Sequence, residues 1–406
     1  MAWWARAGIC VLTWCGAVPA WAVLWDGGGT TSSWMEAANW QFNAIPTTAD
    51  TATIVSDTAS ITGQAVPGVM AVELGMGSFS GGLTMSGGVN PSVLNVATSV
   101  TLAPAGQLTL GGGGPATSTI NAASLATSGA VTIHQRGVVN LSGQLTQTGG
   151  TLSLNGGAID AASVSVQAGT FNARGSIGGN VTIGNGSGST AVLAPSLSLE
   201  IAGNLKFASD ARLEVSFGSS GFDQIHVLDT ATLGGVLDLS LLSGATPTPG
   251  VVYPLISARA IDGAFTDVTG SDAGGGSWIP DFDITNGINV FYTELRGNMN
   301  GDDTVDELDA ALFAHAIRDP NTYHFAYYLA GNVADAFMAD MDGDGSNTFA
   351  DIPAFLEVIE NMGGNSETAM AAIAQALSVP EPATATTLAI SFLLSSALRR
   401  TSRTRG

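Results

Sequence analysis

Two acidic stretches near the C-terminus carry side chains whose types and spacing could hold a metal. They are Asn298-Met-Asn-Gly-Asp-Asp-Thr-Val-Asp-Glu-Leu-Asp309 and Asp340-Met-Asp-Gly-Asp-Gly-Ser-Asn-Thr-Phe-Ala-Asp351. Each places oxygen-bearing side chains at loop positions 1, 3, 5, 9 and 12. This spacing wraps one backbone loop around Ca²⁺, a hard cation that takes roughly six to eight oxygens. Without a cation, several like charges within a few ångströms would push each loop open. The alternative is a pair of solvated acidic turns.

In the second stretch Asp340, Asp342 and Asp344 alternate, Gly345 occupies the sharp turn, Ser346 offers its carbonyl, Thr348 fills position 9 and Asp351 closes the loop. The first departs twice: Asn298 replaces the usual acid at position 1, and Asp303 takes the place of the turn glycine. Asn still coordinates through its amide oxygen, and Asp tolerates left-handed backbone, so the expectation is a weaker first site. Helices must position these loops. After the second, Ile352, Phe355, Leu356 and Ile359 recur at helical spacing, with Pro353 tolerated in the first turn. After the first, Leu308, Ala311, Leu312 and His315 share a similar face.

Two loop–helix units with Asp at position 12 and a connector between them resemble the type I dockerin module, over residues 297–364. The resemblance implies two Ca²⁺ ions. Their ligands would be Asn298, Asn300, Asp302, Thr304, Asp306 and Asp309, then Asp340, Asp342, Asp344, Ser346, Thr348 and Asp351. The 42-residue offset between loop starts is longer than dockerins usually show. Cohesin recognition in that family draws on loop positions 10 and 11, here Glu307-Leu308 and Phe349-Ala350, which differ between the copies. The implied partner is a cohesin-like or envelope protein.

Both ends read as addresses. Residues 1–22 hold Arg6, an apolar run from Ala7 to Val18 and Ala20-Trp-Ala22, the pattern of a secretory signal peptide. A buried N-terminal strand or helix is the other reading. Both cysteines, Cys10 and Cys15, lie in this segment, so the processed chain would carry no disulfide and no Cys site. At the C-terminus, Val379-Pro-Glu-Pro382 precedes an apolar run over 383–398 and then Arg399, Arg400, Arg403 and Arg405. This order, over 380–406, resembles the PEP-CTERM sorting signal. It implies transient membrane anchoring and an exosortase-type processing enzyme; a plain tail anchor is the alternative. Residues 365–379 are expected as a linker.

Residues 23–296 read as strands. Gly106-Gln-Leu-Thr-Leu110, Gly129-Ala-Val-Thr-Ile133, Gly150-Thr-Leu-Ser-Leu154, Gly179-Asn-Val-Thr-Ile183 and Gly203-Asn-Leu-Lys-Phe207 repeat one pattern of glycine followed by alternating aliphatics. Period-two alternation bounded by Gly, Asn and Ser marks half-buried strands at solenoid-sized intervals. The fold class expected is mainly β: a parallel β-solenoid, or else an antiparallel β-sandwich, followed by the small helical calcium module. Trp25-Asp-Gly-Gly-Gly, Trp34 and Asn39-Trp40 resemble the opening of autotransporter-like surface repeat proteins, and Leu193-Ala-Pro195 through Gly263-Ala-Phe265 resembles their closing segment. That resemblance implies adhesion or surface display. The tryptophans are expected to cap an exposed end, with stacking on sugars as the alternative.

Composition narrows the function. The formal charge of −21 repels phosphates and excludes nucleic acid as a partner. Thirteen of the 33 acids fall within residues 297–364 beside one base, Arg318, so the acidity belongs largely to the calcium loops. Polysaccharide lyases and hydrolases need clustered Asp, Lys and Arg or paired carboxylates, yet residues 23–296 hold a single lysine, Lys206, and scattered arginines. Asp223 and His226 are close in sequence but point to opposite faces of a strand. His134, His226, His315 and His324 read as ordinary histidines. No catalytic residue is therefore expected. The sequence reads as an exported structural or adhesive protein of the cell envelope; the alternative is a component of a polysaccharide-degrading assembly docked through its calcium module.

Overall fold

The computed structural model describes residues 22–378, apart from 248–251, 271, 274–275, 284–286, 294, 301, 303, 324–335 and 343–345. The protein is mainly β, with a large parallel sheet and a C-terminal helical region. The expected signal peptide (save Ala22), the 380–406 tail, and Asp303, Asp344 and Gly345 lie outside the described residues.

The strands stack in three parallel columns. In the first, Ala52, Val72, Val100, Leu125, Leu145, Val164, Val181 and Leu205 lie in register on successive strands. In the second, Ala59, Leu83, Leu108, Val131, Leu152, Phe171, Leu193, Leu213, Leu237 and Val268 do the same. In the third, Leu94, Ile120, Val139, Ile159, Ile177, Ile201 and Val227 follow one another. All of these side chains are buried in one continuous core. Alternation sends every second residue inward, and parallel register places like residues one above another. This arrangement is compatible with a β-solenoid.

The columns explain the glycine of the repeat. A Cβ on Gly129 would come within 2.3 Å of the Gly106 carbonyl oxygen, and one on Gly150 within 2.2 Å of the Gly129 oxygen. Each glycine thus sits directly over the backbone of the turn beneath it. The five repeat units do not, however, form one stack. Those at Gly106, Gly129 and Gly150 open strands of the second column, whereas those at Gly179 and Gly203 open strands of the first. Strand Thr151–Asp160 pairs onward with Gly169–Ile177, a strand the repeat had not identified. The reason is that every side of the stack needs the same alternation and every corner the same small residue, so the pattern does not tell which side a unit occupies.

Between strands, the described antiparallel pairings are Phe217 with Phe222, Asp272–Ala273 with Gly276–Ser277, and strand Gly287–Thr293 with Val252–Gly263 and Gly276–Asp283; isolated antiparallel bridges join Trp25 to Trp40 and Met76 to Phe79. An antiparallel sandwich is not the observed pairing. Trp25, Trp34 and Trp40 are fully buried and pack edge to face at 5.0 and 4.8 Å, with Trp40 Nε1 donating to the Trp34 carbonyl at 2.8 Å. They close the core beside the first strands and offer no ring face to a sugar. Near the other end, Trp278 stacks on Phe217 at 3.9 Å and meets Tyr253 and Tyr292 edge on.

The helical region has its own core, running in sequence from Met299 to Ala376. Among the described residues its α-helices are α1 (Ala310–Arg318), α2 (Pro320–Tyr323), α3 (Ile352–Asn361) and α4 (Ser366–Ser378). The last corrects the sequence reading: residues 365–379 are no mere linker, because α4 buries Ala369, Ile373 and Ala376 in this second core. Among the described residues, no helix is long and apolar enough to cross a membrane.

Candidate metal centre

The two acidic loops are built around their last residue. Asp351 is fully buried; its Oδ1 accepts the backbone N–H groups of Met341 (2.7 Å) and Asp342 (3.1 Å), and its Oδ2 accepts that of Thr348 (2.8 Å). Asp309, equally buried, accepts the N–H of Asn300 on Oδ1 and of Asp306 on Oδ2, both at 2.9 Å. Loop positions 3 and 9 donate in both copies, and position 2 donates as well in the second. A carboxylate with such donors draws the two ends of its loop together and sets the first turn of the following helix. Thr348 reinforces the second loop, its side chain accepting the Ala350 N–H at 3.1 Å in a capping box closed by Asp351.

In the second loop the carboxylates of Asp340, Asp342 and Asp351 converge, one oxygen from each lying within 4.8 Å of the others. Asp340 and Asp351 are buried and Asp342 is exposed, so the cluster opens to solvent on one side. Arg296 forms an ion pair with Asp340 Oδ2 at 3.1 Å and donates to the Asp340 carbonyl. Ser346 and Thr348 lie exposed on the same loop. Asp344 lies outside the described residues.

The first loop arranges its groups differently. Asn298 is buried, and its Oδ1 accepts the Asp302 N–H at 3.2 Å. Asn300 Oδ1 accepts the same N–H at 2.9 Å while its Nδ2 donates to Asp302 Oδ2 at 3.1 Å. Asp302 Oδ1 accepts from the Thr304 N–H and hydroxyl, and Asp306 Oδ1 from the Leu308 N–H. Among the described residues, no second trio of acids converges as in the later loop. Burial pushes the Asp309 carboxyl up to about 7, the Asp306 and Asn300 N–H groups oppose that rise, and the charge of Asp302 adds to it. An oxygen-only donor set with carboxylates held this close can hold a hard cation.

Reading the loops separately missed their internal symmetry. At a 42-residue offset Met299 matches Met341, Phe313 matches Phe355 and Ile317 matches Ile359. Phe313 and Phe355 stack face to face, with centroids 4.0 Å apart and planes 5° from parallel. Gly297, at φ +90°, passes so close that a Cβ there would lie 3.0–3.2 Å from Val305, Met341 and Phe355. Aligning the two loops would have revealed this pairing from sequence.

Elsewhere, His226 Nδ1 lies 2.7 Å from Ser257 Oγ on an outward strand face, and Glu200 occupies the register position across from His226 without an ion pair to it. Asp223 is turned away from His226 and accepts the Leu197 and Ser216 N–H groups. No family model, curated protein or solved structure matches the chain.

Proposed function

We propose that this is an exported, non-catalytic structural or adhesive protein of the cell envelope: a β-solenoid stalk followed by a dockerin-like calcium module and a removable PEP-CTERM sorting tail. The convergence of Asp340, Asp342 and Asp351 supports the calcium reading. These residues, with Asn298, Asn300, Asp302, Thr304, Asp306 and Asp309 in the first loop and Asp344, Ser346 and Thr348 in the second, would hold two Ca²⁺ ions. When bound, calcium supplies positive charge that offsets the clustered carboxylates and joins each loop to its helix.

The observation that carries the structural reading is the outward column Ser60, Thr84, Thr109, Thr132, Ser153 and Asn172, six successive uncharged polar residues in register. A lyase or hydrolase groove requires acids and bases at such positions. Fractionation of the native host should place the protein in the envelope, with an intact mass ending near residue 381 if the tail is removed. Recovery from the cytoplasm at full length would overturn the reading. Turnover of a polysaccharide, abolished by a point substitution within residues 23–296, would favour the degrading-assembly alternative.

A further inference from the structure

A side chain of the first acidic loop reaches the segment that opens α4. Glu307 stands within the first loop between Asp306 and Asp309, yet its carboxylate turns outward. Its Oε2 accepts the backbone N–H of Asn365 at 3.3 Å. Asn365 in turn caps α4, its Oδ1 accepting the Thr368 N–H at 2.9 Å. The helix that Glu307 grips lies against α1, whose N-cap is Asp309. At its other side α4 is joined to α3 by a tight reversal. The N–H groups of Gly363 and Gly364 return to the carbonyls of Glu360 and Ile359, with Gly363 in the left-handed region at φ +86°. The Ser366 hydroxyl donates to Glu360. α4 therefore bridges the helices of both loops, and its first turn is fastened to the first loop by one side chain.

We infer that Glu307 is a positioning residue that couples calcium occupancy of the first loop to docking of α4, so that residues 366–378 are held down only while the metal is bound. The inference rests on the calcium reading of the loops. Loss of the cation leaves Asp302 and Asp309 repelling one another in a loop closed by the bonds of Asn298, Asn300, Asp302 and Asp309 side chains to its backbone. As the loop opens, Glu307 is carried away from Asn365. α4 then keeps its Asn365 cap and a small apolar face, Ala369, Ile373 and Ala376 buried with Ala372 and Leu377 partly so, which holds it less firmly without Glu307. The segment that leads into residues 379–406 would then become free chain. Calcium thus sets whether a protease or partner meets a docked helix or an extended strand there.

Hydrogen exchange on the full chain, read by mass spectrometry in calcium and in chelator, tests this. Chelation should make residues 366–378 exchange at least about tenfold faster while strands 99–183 stay unchanged. With calcium present and both ions counted by native mass spectrometry, Glu307→Ala should release 366–378 alone. Glu307→Gln, which keeps an acceptor oxygen for the Asn365 N–H, should behave as the natural protein. If chelation loosens 298–309 and 340–351 but leaves 366–378 protected, the coupling is overturned and the calcium reading stands. If Glu307→Ala leaves 366–378 protected, the coupling is overturned as well. No change in either loop on chelation would sink the calcium reading itself.

Discussion

Asp309 and Asp351 occupy the same position in two copies of one loop, and the acid–base behaviour of Asp309 gives the pair a measurable signature. The Asp309 carboxyl stands at about 7 when folded against 3.8 when free, chiefly because it is buried. A raised acid binds its proton more tightly in the folded state, so its ionisation opposes folding. Without calcium, this group's penalty grows as pH rises from about 4 through 7 and is complete above that. The chelated protein should therefore lose its helical transition at lower temperature at pH 8 than at pH 5.5. Calcium binds the ionised form, so first-loop affinity should rise with pH up to neutrality; titration calorimetry at both pH values checks the sign. At the second loop, Asp351→Ala removes the acceptor of three backbone N–H groups as well as a charge. It should cost about 1–3 kcal/mol even without metal, whereas Asp342→Ala should spare the chelated protein and weaken calcium binding. The convergence of Asp340, Asp342 and Asp351 was legible because their spacing is a local code. The raised carboxyl was not, since burial of Asp309 depends on contacts that loop spacing does not encode.

At the scale of elements, the inward columns predict steep penalties for small changes. Phe171 sits between Leu152 and Leu193 in the second column, fully buried. Phe171→Ala should cost about 3–5 kcal/mol, seen as a lowered denaturant midpoint of the β transition. Gly129→Ala adds only one carbon, yet that carbon meets a carbonyl oxygen at 2.3 Å. It should destabilise the sheet by several kcal/mol, about as much as losing an aromatic ring, because backbone must move. The strands were readable from period-two alternation. Their assignment to columns was not, because the three sides use one pattern. α4 escaped notice for a related reason: its buried positions Ala369, Ile373 and Ala376 include two alanines, too weak an apolar stripe to mark a helix between polar Asn365-Ser-Glu and Val379-Pro.

Across the whole molecule, two hydrophobic cores meet between Tyr292 and Met299, with Arg296 reaching from that junction to Asp340. Separate cores should melt separately. Calorimetry should resolve a calcium-dependent helical transition and a calcium-independent β transition, and far-ultraviolet circular dichroism should lose helix on chelation while keeping strand. A single transition that shifts as one with calcium would argue against this division. A fragment ending at residue 364 would lack Ala369, Ile373 and Ala376, so the helical region should be studied to residue 378. The loop–helix units beyond residue 297 were legible from their acidic spacing, whereas α4 beyond residue 364 was not.

The parallel columns also determine how this sheet would respond to load. Val164 pairs with Val181, 17 residues on, and Leu237 with Val268, 31 residues on. A pull that strips strands from one end breaks one layer at a time, each freeing roughly 60 to 100 Å of extended chain before the next layer bears the force. Such a stack of layers yields in short steps at near-constant tension, lengthening under load without shedding all of its core at once.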